Sequence, residues 1–465
     1  MVFPTIQFAI FFPIVLALSW ALMRRQAVWK PFILAASYVF YSAANPLFCL
    51  MLAGLTLANQ AAAQLIHRTE DEPRRRQIVA AAIAIDLGTL GVFKYYGFFA
   101  EEVNAVLDTF GLGLPLPLAA IALPIGISFI VFQAISYTVD VHRRLIEPAS
   151  TIDFALYLSF FPHLVAGPIV RAREFIPQLA KPRDPTKVAV GAGVFLIVVG
   201  LVKKVAVADF LAREIVDPVF GVPQAYSAPD VALASYAYAV QIFCDFSGYT
   251  DIAIGLALLM GFVFPQNFDR PYRAQTFREF WRRWHMTLSR FLRDFLYIPL
   301  GGNRGGKLKT ARNLMITMVL GGLWHGAAWG FVLWGTIHGL ALVVEQLLRE
   351  RVRVSLPAWL KWALVFHVVV LAWIPFRAPD IGLAATFASR LADWGPATLW
   401  TLPVVGIVVI VIALQLVADK PLDILRVRFE SLHPAALGAS MATVIVLVTA
   451  TVSSQGVPPF IYFQF

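Results

Sequence analysis

The chain has 465 residues, of which 59% are hydrophobic and only 14% charged, and its formal net charge is +10. Soluble domains carry roughly 25% charged residues, so this composition excludes an ordinary soluble enzyme. A basic excess in a soluble chain would suggest nucleic acid as a partner. Here Lys and Arg fall between long apolar runs, and retention of basic loops on the cytoplasmic face is the better account.

Apolar stretches of about 20 residues recur along the chain, the length that spans a hydrocarbon core of roughly 30 Å. Backbone groups in lipid must bond internally, so these stretches are predicted as helices. The alternating pattern of outer-membrane strands is absent. The first stretch, 3–23, lacks a basic start and runs into Arg24 and Arg25 instead of a small-residue cleavage site, so it is read as a retained helix. Further spans are predicted at 31–48, 49–66, 78–99, 118–140, 152–170, 187–210, 230–262, 313–330, 331–348, 358–376, 402–418 and 435–453. The run at 230–262 is long for one crossing and is a candidate for a break. The expected fold class is an all-α polytopic membrane protein of about eleven to thirteen membrane segments, with 1–465 a single integral membrane unit and the lipid bilayer its first partner.

Short loops predict the topology. Arg24, Arg25 and Lys30 place the first loop in the cytoplasm, as do Arg68, Arg74, Arg75 and Arg76 for the third. The loop after the fourth span carries Glu101, Glu102 and Asp108 without Lys or Arg and is expected to face outward. Arg143 and Arg144 return the chain inside, and Arg171, Arg173, Lys181, Arg183 and Lys187 also read as cytoplasmic. With basic residues at both ends, 152–170 cannot be a simple crossing unless a flank is misplaced, and a re-entrant segment is the alternative. Cys49 and Cys244 lie in apolar runs and read as two buried thiols, with no disulfide or zinc spacing.

The one long polar stretch, 265–312, holds eleven Lys or Arg against three acids, Asp269, Glu279 and Asp294, a surplus of eight. Within it, Phe280 to Leu296 is predicted as one amphipathic helix, with Trp281, Trp284, Leu288, Phe291 and Phe295 on its apolar stripe. Arg282, Arg283, Arg290 and Arg293 lie off that stripe. They suit either an anchor on anionic lipid or a docking surface for an anionic donor such as coenzyme A or an acidic carrier protein. A turn-rich stop follows over 299–306.

His325 sits in the run Val319-Leu320-Gly321-Gly322-Leu323-Trp324-His325-Gly326, where an ionisable residue suggests function. His338 suits a core histidine bonded to a carbonyl. His325 and His285 together are harder to read that way, and imidazole is the side chain best suited to proton transfer near neutral pH. Gln241, Asp245 and Tyr249 recur every four residues on one helix face, with Asp251 just beyond. They would line an internal polar cavity, or the carboxylates would tie helices together. Pro/Gly interruptions at 123–129 and 160–168 suit broken helices around a site. There is no P-loop, dinucleotide fingerprint, G-x-S-x-G elbow or HExxH, and no metal site or resident cofactor is expected.

These motifs resemble the bacterial branch of the membrane-bound O-acyltransferase family, whose members modify alginate, peptidoglycan and teichoic acid. The matching stretches are 123–129 with Phe132–Asp140, Phe160–Arg171, Phe243–Gly255, Trp284–Gly302, Leu323–Gly326 and Pro459–Phe463. They cover most of the chain in order. The resemblance implies a ring of helices around a thin centre, with re-entrant and interfacial helices. It places the family's invariant histidine on His325 and its second histidine on His285. Retention of Asp251 is closer to the alginate and peptidoglycan pattern, and so to acetyl rather than D-alanyl transfer. Pro375 departs from the family, which has an apolar or aromatic residue there, and bears on the local helix end.

The resulting expectation is an enzyme of the inner membrane that acylates cell-surface polysaccharide. A cytoplasmic thioester, acetyl-coenzyme A or an acyl-carrier thioester, docks near 278–312 and delivers its acyl group to an acceptor hydroxyl. His325 serves as general base, or as a covalent acyl carrier. His285 orients the donor or stabilises the oxyanion, and Trp324 lines the site beside Gln241, Asp245, Tyr249 and Asp251. An extracytoplasmic transferase partner is implied. The rival readings are a transporter or flippase without chemistry, a passive scaffold for a surface-polymer complex, and D-alanyl transfer.

Overall fold

The computed structural model describes all residues except 2, 4, 114, 118–120, 352–355, 452–459 and 461–465. The C-terminal motif over 459–463 therefore lies outside the described residues apart from Phe460. Among the described residues the ordered elements are helices only. They group into two compact units, residues 1–193 with 253–265, and residues 194–252 with 266–465.

The first unit begins with α1 (Ile6–Leu22), α2 (Gln26–Ser42), α3 (Pro46–Arg68) and α4 (Glu72–Leu90), which continues through a π-helical turn at Gly91–Tyr95 into α5 (Tyr96–Thr109). Then come α6 (Ile127–His142), α7 (Thr151–Ser159), the single turn α8 (Phe161–Leu164) and α9 (Ala172–Leu179). Thr5, Asn45, Asp71 and Ser150 start α1, α3, α4 and α7 by accepting a backbone N–H that the first turn leaves unpaired.

The basic loops of this unit gather at one end. Arg24 pairs with Asp184 at 2.9 Å and Lys30 with Asp153 at 2.6 Å. Arg75 donates to the His142 carbonyl at 2.8 Å, and Arg173 lies 4.0 Å from Asp140. Tyr41 donates to the Ile125 carbonyl and Asn104 to that of Leu116 at the opposite end. Asp153 near the start of α7 and Arg173 in the first turn of α9 thus share the basic end. The chain between them dips in and returns, the re-entrant alternative for 152–170. Its turning point is α8, and a Cβ on Gly167 would stand 2.6 Å from His163 Cα. Residues 154–172 are buried almost without exception, so this irregular backbone is covered by protein, as a re-entrant segment requires.

The second unit contains most of α10 (Val190–Leu201), α11 (Asp209–Leu211) and α12 (Asp217–Gly221), joined by π-helical stretches at Val202–Ala208 and Ala212–Val216. It also holds most of α13 (Ala228–Leu259), which is one unbroken helix of 32 residues despite its length. Next are α14 (Phe277–Arg283), α15 (Met286–Leu292), α16 (Lys307–His325), α17 (Trp329–Arg351) and α18 (Ala358–Arg377). The last are α19 (Ile381–Arg390), α20 (Leu402–Leu416), α21 (Asp419–Glu430) and α22 (Pro434–Thr451). α18 runs through Pro375 to Arg377, so the departure at Pro375 does not end the helix early.

Glycines let α16 and α17 form a tight hairpin. A Cβ on Gly322 would collide with the Phe331 carbonyl oxygen, and one on Gly335 with that of Met318. Such backbone approach needs small residues at the contact.

By length and composition, 6 helices among the described residues can cross a membrane, or up to 7 if the bent pair in α21 and α22 is one span. Three shorter apolar helices, α1, α6 and α20, add to these. The protein is thus all-α and polytopic, while the count of eleven to thirteen is not reached by this measure. One reason is that hydropathy counts the re-entrant segment as if it crossed.

Candidate active site

The single amphipathic helix expected over 280–296 does not form. α14 stops at Arg283, Trp284 is extended, and His285 adopts a left-handed conformation with φ 42° and ψ 54° before α15 begins. A π-helical turn at Arg293–Tyr297 then follows. The segment 267–269 takes over hydrogen bonds that a continuous helix would have made. Asn267 accepts the Met286 N–H through its carbonyl, and Asp269 donates to the Arg283 carbonyl, both at 2.9 Å. The break turns Trp284 and His285 into the interior, where they are 1% and 0% exposed. The apolar stripe fits an uninterrupted helix, so periodicity held no signal for this break.

His325 is the last residue of α16, is 3% exposed, and is followed by Gly326 in extended conformation. A Cβ at Gly326 would overlap the Phe331 ring. Trp324 and Trp334 each lie 5.1 Å from the His325 ring, and Phe376 lies 5.3 Å away. The His285 ring is 6.4 Å from it, with Trp324 5.9 Å from His285. The two histidines, 40 positions apart in sequence, are thus brought together in an aromatic enclosure. His338 is 1% exposed and packs 4.8 Å from Trp334, but neither of its ring nitrogens has a hydrogen-bond partner among the described residues. The carbonyl bond expected for it is absent.

A cavity of about 1020 Å³ opens beside this enclosure within the second unit. Arg278, Arg282, Arg290, Arg293 and Arg349 line it, with Trp281, Met286, Tyr297 and Leu314 among its less polar walls. Thr317 and Met318 of α16 also line it, and the seven residues from Met318 to His325 rise about 10 Å at the usual helical pitch. Three of the four arginines singled out in the sequence therefore share one cavity. Arg283 does not, because it is turned to Asp269 at 2.6 Å and Glu279 at 2.9 Å. Arg278 lay in the counted basic stretch but was not singled out, and Arg349 comes from α17, remote in sequence. Glu345 also lines the cavity and accepts the Phe277 N–H at the start of α14.

The carboxylates of α13 are engaged elsewhere. Lys204 reaches Asp245 at 2.6 Å and Asp209 at 2.7 Å, all three nearly fully buried, and Lys203 pairs with Asp251 at 2.7 Å. A Cβ on Gly248 would stand 2.7 Å from the Gly200 carbonyl oxygen, so the two helices touch where the ion pairs form. This is the helix-tying alternative. Tyr249 stacks on Phe460 at 4.6 Å, and the half-buried Gln241 keeps its side-chain oxygen without a partner among the described residues. None of these four lines the arginine cavity.

Residues 33–376 match the family model described as MBOAT, membrane-bound O-acyltransferase family. The chain belongs to the membrane-bound O-acyltransferase family. It is similar to a probable alginate O-acetylase of Pseudomonas putida, 36% identical over 98% of this chain and 98% of that protein. A probable alginate O-acetylase of Pseudomonas aeruginosa is 42% identical over 78% of this chain and 69% of its own length. The peptidoglycan O-acetyltransferase of Helicobacter pylori is 35% identical over 76% of this chain and 71% of its own length. As a membrane-bound O-acyltransferase, the protein is a multi-pass membrane enzyme that transfers an acyl group from a donor, and the transporter and scaffold readings fall away.

Proposed function

We propose that the protein is an O-acetyltransferase of the inner membrane that passes an acetyl group from a cytoplasmic thioester to an acceptor hydroxyl, for acetylation of a cell-surface polysaccharide. The observation that carries this reading is the arginine-lined cavity beside two buried histidines. Guanidinium groups suit phosphate recognition through paired hydrogen bonds, so the cavity fits the anionic end of acetyl-coenzyme A or the phosphopantetheine arm of an acyl carrier. The thioester end would extend along α16 towards His325. His325 removes the hydroxyl proton as the oxygen attacks the thioester carbonyl, and the thiolate departs. His285 shares the enclosure and acts on the same reacting groups. The names of the similar proteins support acetyl as the group and a cell-wall or extracellular polymer as the destination. An extracytoplasmic transferase completes delivery.

The test is release of labelled acetate equivalents from acetyl-coenzyme A by the purified protein with its extracytoplasmic acceptor partner. Wild type is expected to turn over and His325→Ala to be inactive while eluting as a folded membrane protein. Equal turnover by the two would remove His325 from the chemistry.

A further inference from the structure

His285 enters the active site in a backbone conformation that L residues rarely adopt, and one side chain accounts for how its ring is held. Asn267 lies 18 positions upstream and is 1% exposed. Its Oδ1 stands 3.2 Å from the Thr287 backbone nitrogen, 2.9 Å from Thr287 Oγ1 and 3.2 Å from His285 Nδ1. A backbone N–H can only donate, so the Asn267 atom that faces it is the amide oxygen. Turning the amide over would set its NH2 group against that N–H. Amide orientation is ordinarily chosen from the hydrogen-bond pattern, and here the pattern leaves one choice.

An amide oxygen accepts, so His285 Nδ1 must carry the proton. The ring is fully buried and has no carboxylate partner among the described residues, so burial keeps it neutral. A neutral imidazole has a single N–H. Nε2 therefore holds a lone pair and no hydrogen, and it has no hydrogen-bond partner among the described residues.

We infer that Asn267 is a positioning residue that locks His285 in the Nδ1–H tautomer, so that His285 offers the reaction a bare Nε2, an acceptor and not a donor. This rests on the reading of His285 as part of the active site. It narrows the two roles open to that ring. Donation to an oxyanion is closed to the neutral imidazole in this tautomer. Accepting a hydrogen bond from a neighbouring hydroxyl of the acceptor substrate, beside the one whose proton His325 takes, is open, and the ring stands ready for it 6.4 Å from His325 and edge-on to Phe246 at 4.7 Å.

The experiment uses the full-length protein in lipid nanodiscs, labelled with ¹⁵N-histidine. The His285 signals are assigned by their loss in His285→Gln. Wild type is expected to show His285 with a protonated Nδ1 and a bare Nε2, and Asn267→Ala to lose that pattern. With acetyl-coenzyme A and the acceptor partner, Asn267→Ala is expected to lower kcat by about tenfold to a hundredfold, as loss of an orienting group does, with KM for acetyl-coenzyme A within about twofold. The double variant Asn267→Ala/His285→Gln is expected to be no slower than His285→Gln. Asn267→Asp keeps an oxygen for all three donors and covers the case in which the alanine variant fails to fold. It is expected to keep the tautomer and to move the acid limb of the pH profile upward, because a carboxylate raises imidazole basicity. A protonated Nε2 in wild type overturns the lock, as does a double variant slower than His285→Gln. Full transfer by His285→Gln would instead remove His285 from the reaction, while the spectrum still tests the lock by itself.

Discussion

Arg282 and Arg283 are neighbours in sequence and differ in kind. Arg282 lines the cavity, whereas Arg283 spends its charge on Asp269 and Glu279 at the end of α14. A hydrogen bond to a charged group contributes about 1.5–3 kcal/mol, and about 1.4 kcal/mol is tenfold in affinity. Arg282→Gln, Arg290→Gln and Arg293→Gln are therefore each expected to raise KM for acetyl-coenzyme A by about tenfold, less so at high salt as screening weakens the contact in wild type too. Arg283→Gln is expected to leave KM near wild type and to lower the melting temperature. Steady-state kinetics at two ionic strengths, with melting curves of the same samples, separate the two classes. Equal KM across all four would return this surface to the lipid-anchor reading. In the sequence, the four arginines were legible as off-stripe cations. Which of them shared a cavity was not, because that depends on the break at Trp284 and His285.

At the scale of elements, the long helix from Val190 to Gly221 and α13 are bound by charge within a close backbone contact. The π-helical stretch Val202–Ala208 carries Lys203 and Lys204, whose ammonium groups reach the α13 carboxylates Asp251 and Asp245. Extra residues of this kind inside a helix turn the following side chains to a new face. Lys204 holds two carboxylates that are as buried as itself. Removing the cation from a buried pair costs about 3–5 kcal/mol, because the charge left behind is uncompensated. Lys204→Met should therefore destabilise the detergent-solubilised protein by about that amount in a chemical-denaturation series, well beyond Lys203→Met, whose pair with Asp251 is more exposed. The four-residue spacing of Gln241, Asp245 and Tyr249 identified one helix face correctly. It could not tell a lined cavity from an ion-paired contact, since the partners come from a different helix.

At the scale of the whole molecule, the basic loops of the first unit lie at one end, and Glu101, Glu102 and Asp108, expected in a loop, instead lie within α5, which leads away to the other end. Short basic loops are retained in the cytoplasm, so the basic end of the first unit is expected to face it. Cys49 would be replaced by serine to clear the background, and single cysteines placed at the exposed positions Asp108 and Glu147. A membrane-impermeant thiol reagent added to intact spheroplasts is expected to label Asp108→Cys and to spare Glu147→Cys until the membrane is opened. The reverse pattern would invert the topology of the first unit.

Composition, hydropathy and the motif series by themselves determined an all-helical membrane enzyme of the O-acyltransferase family, the two histidines and the basic segment beside them. Each of these is local: apolar length must be helical in lipid, and a motif is read where it stands. Only the tertiary structure decided that 152–170 turns back, that α13 stays whole where a break seemed open, and that the 280–296 stripe is interrupted. It also decided that the α13 carboxylates are engaged by lysines and that Asn267 holds His285. These outcomes depend on hydrogen bonds and ion pairs between residues distant in sequence. Periodicity cannot report such contacts, because it records which face a residue occupies and not what meets that face.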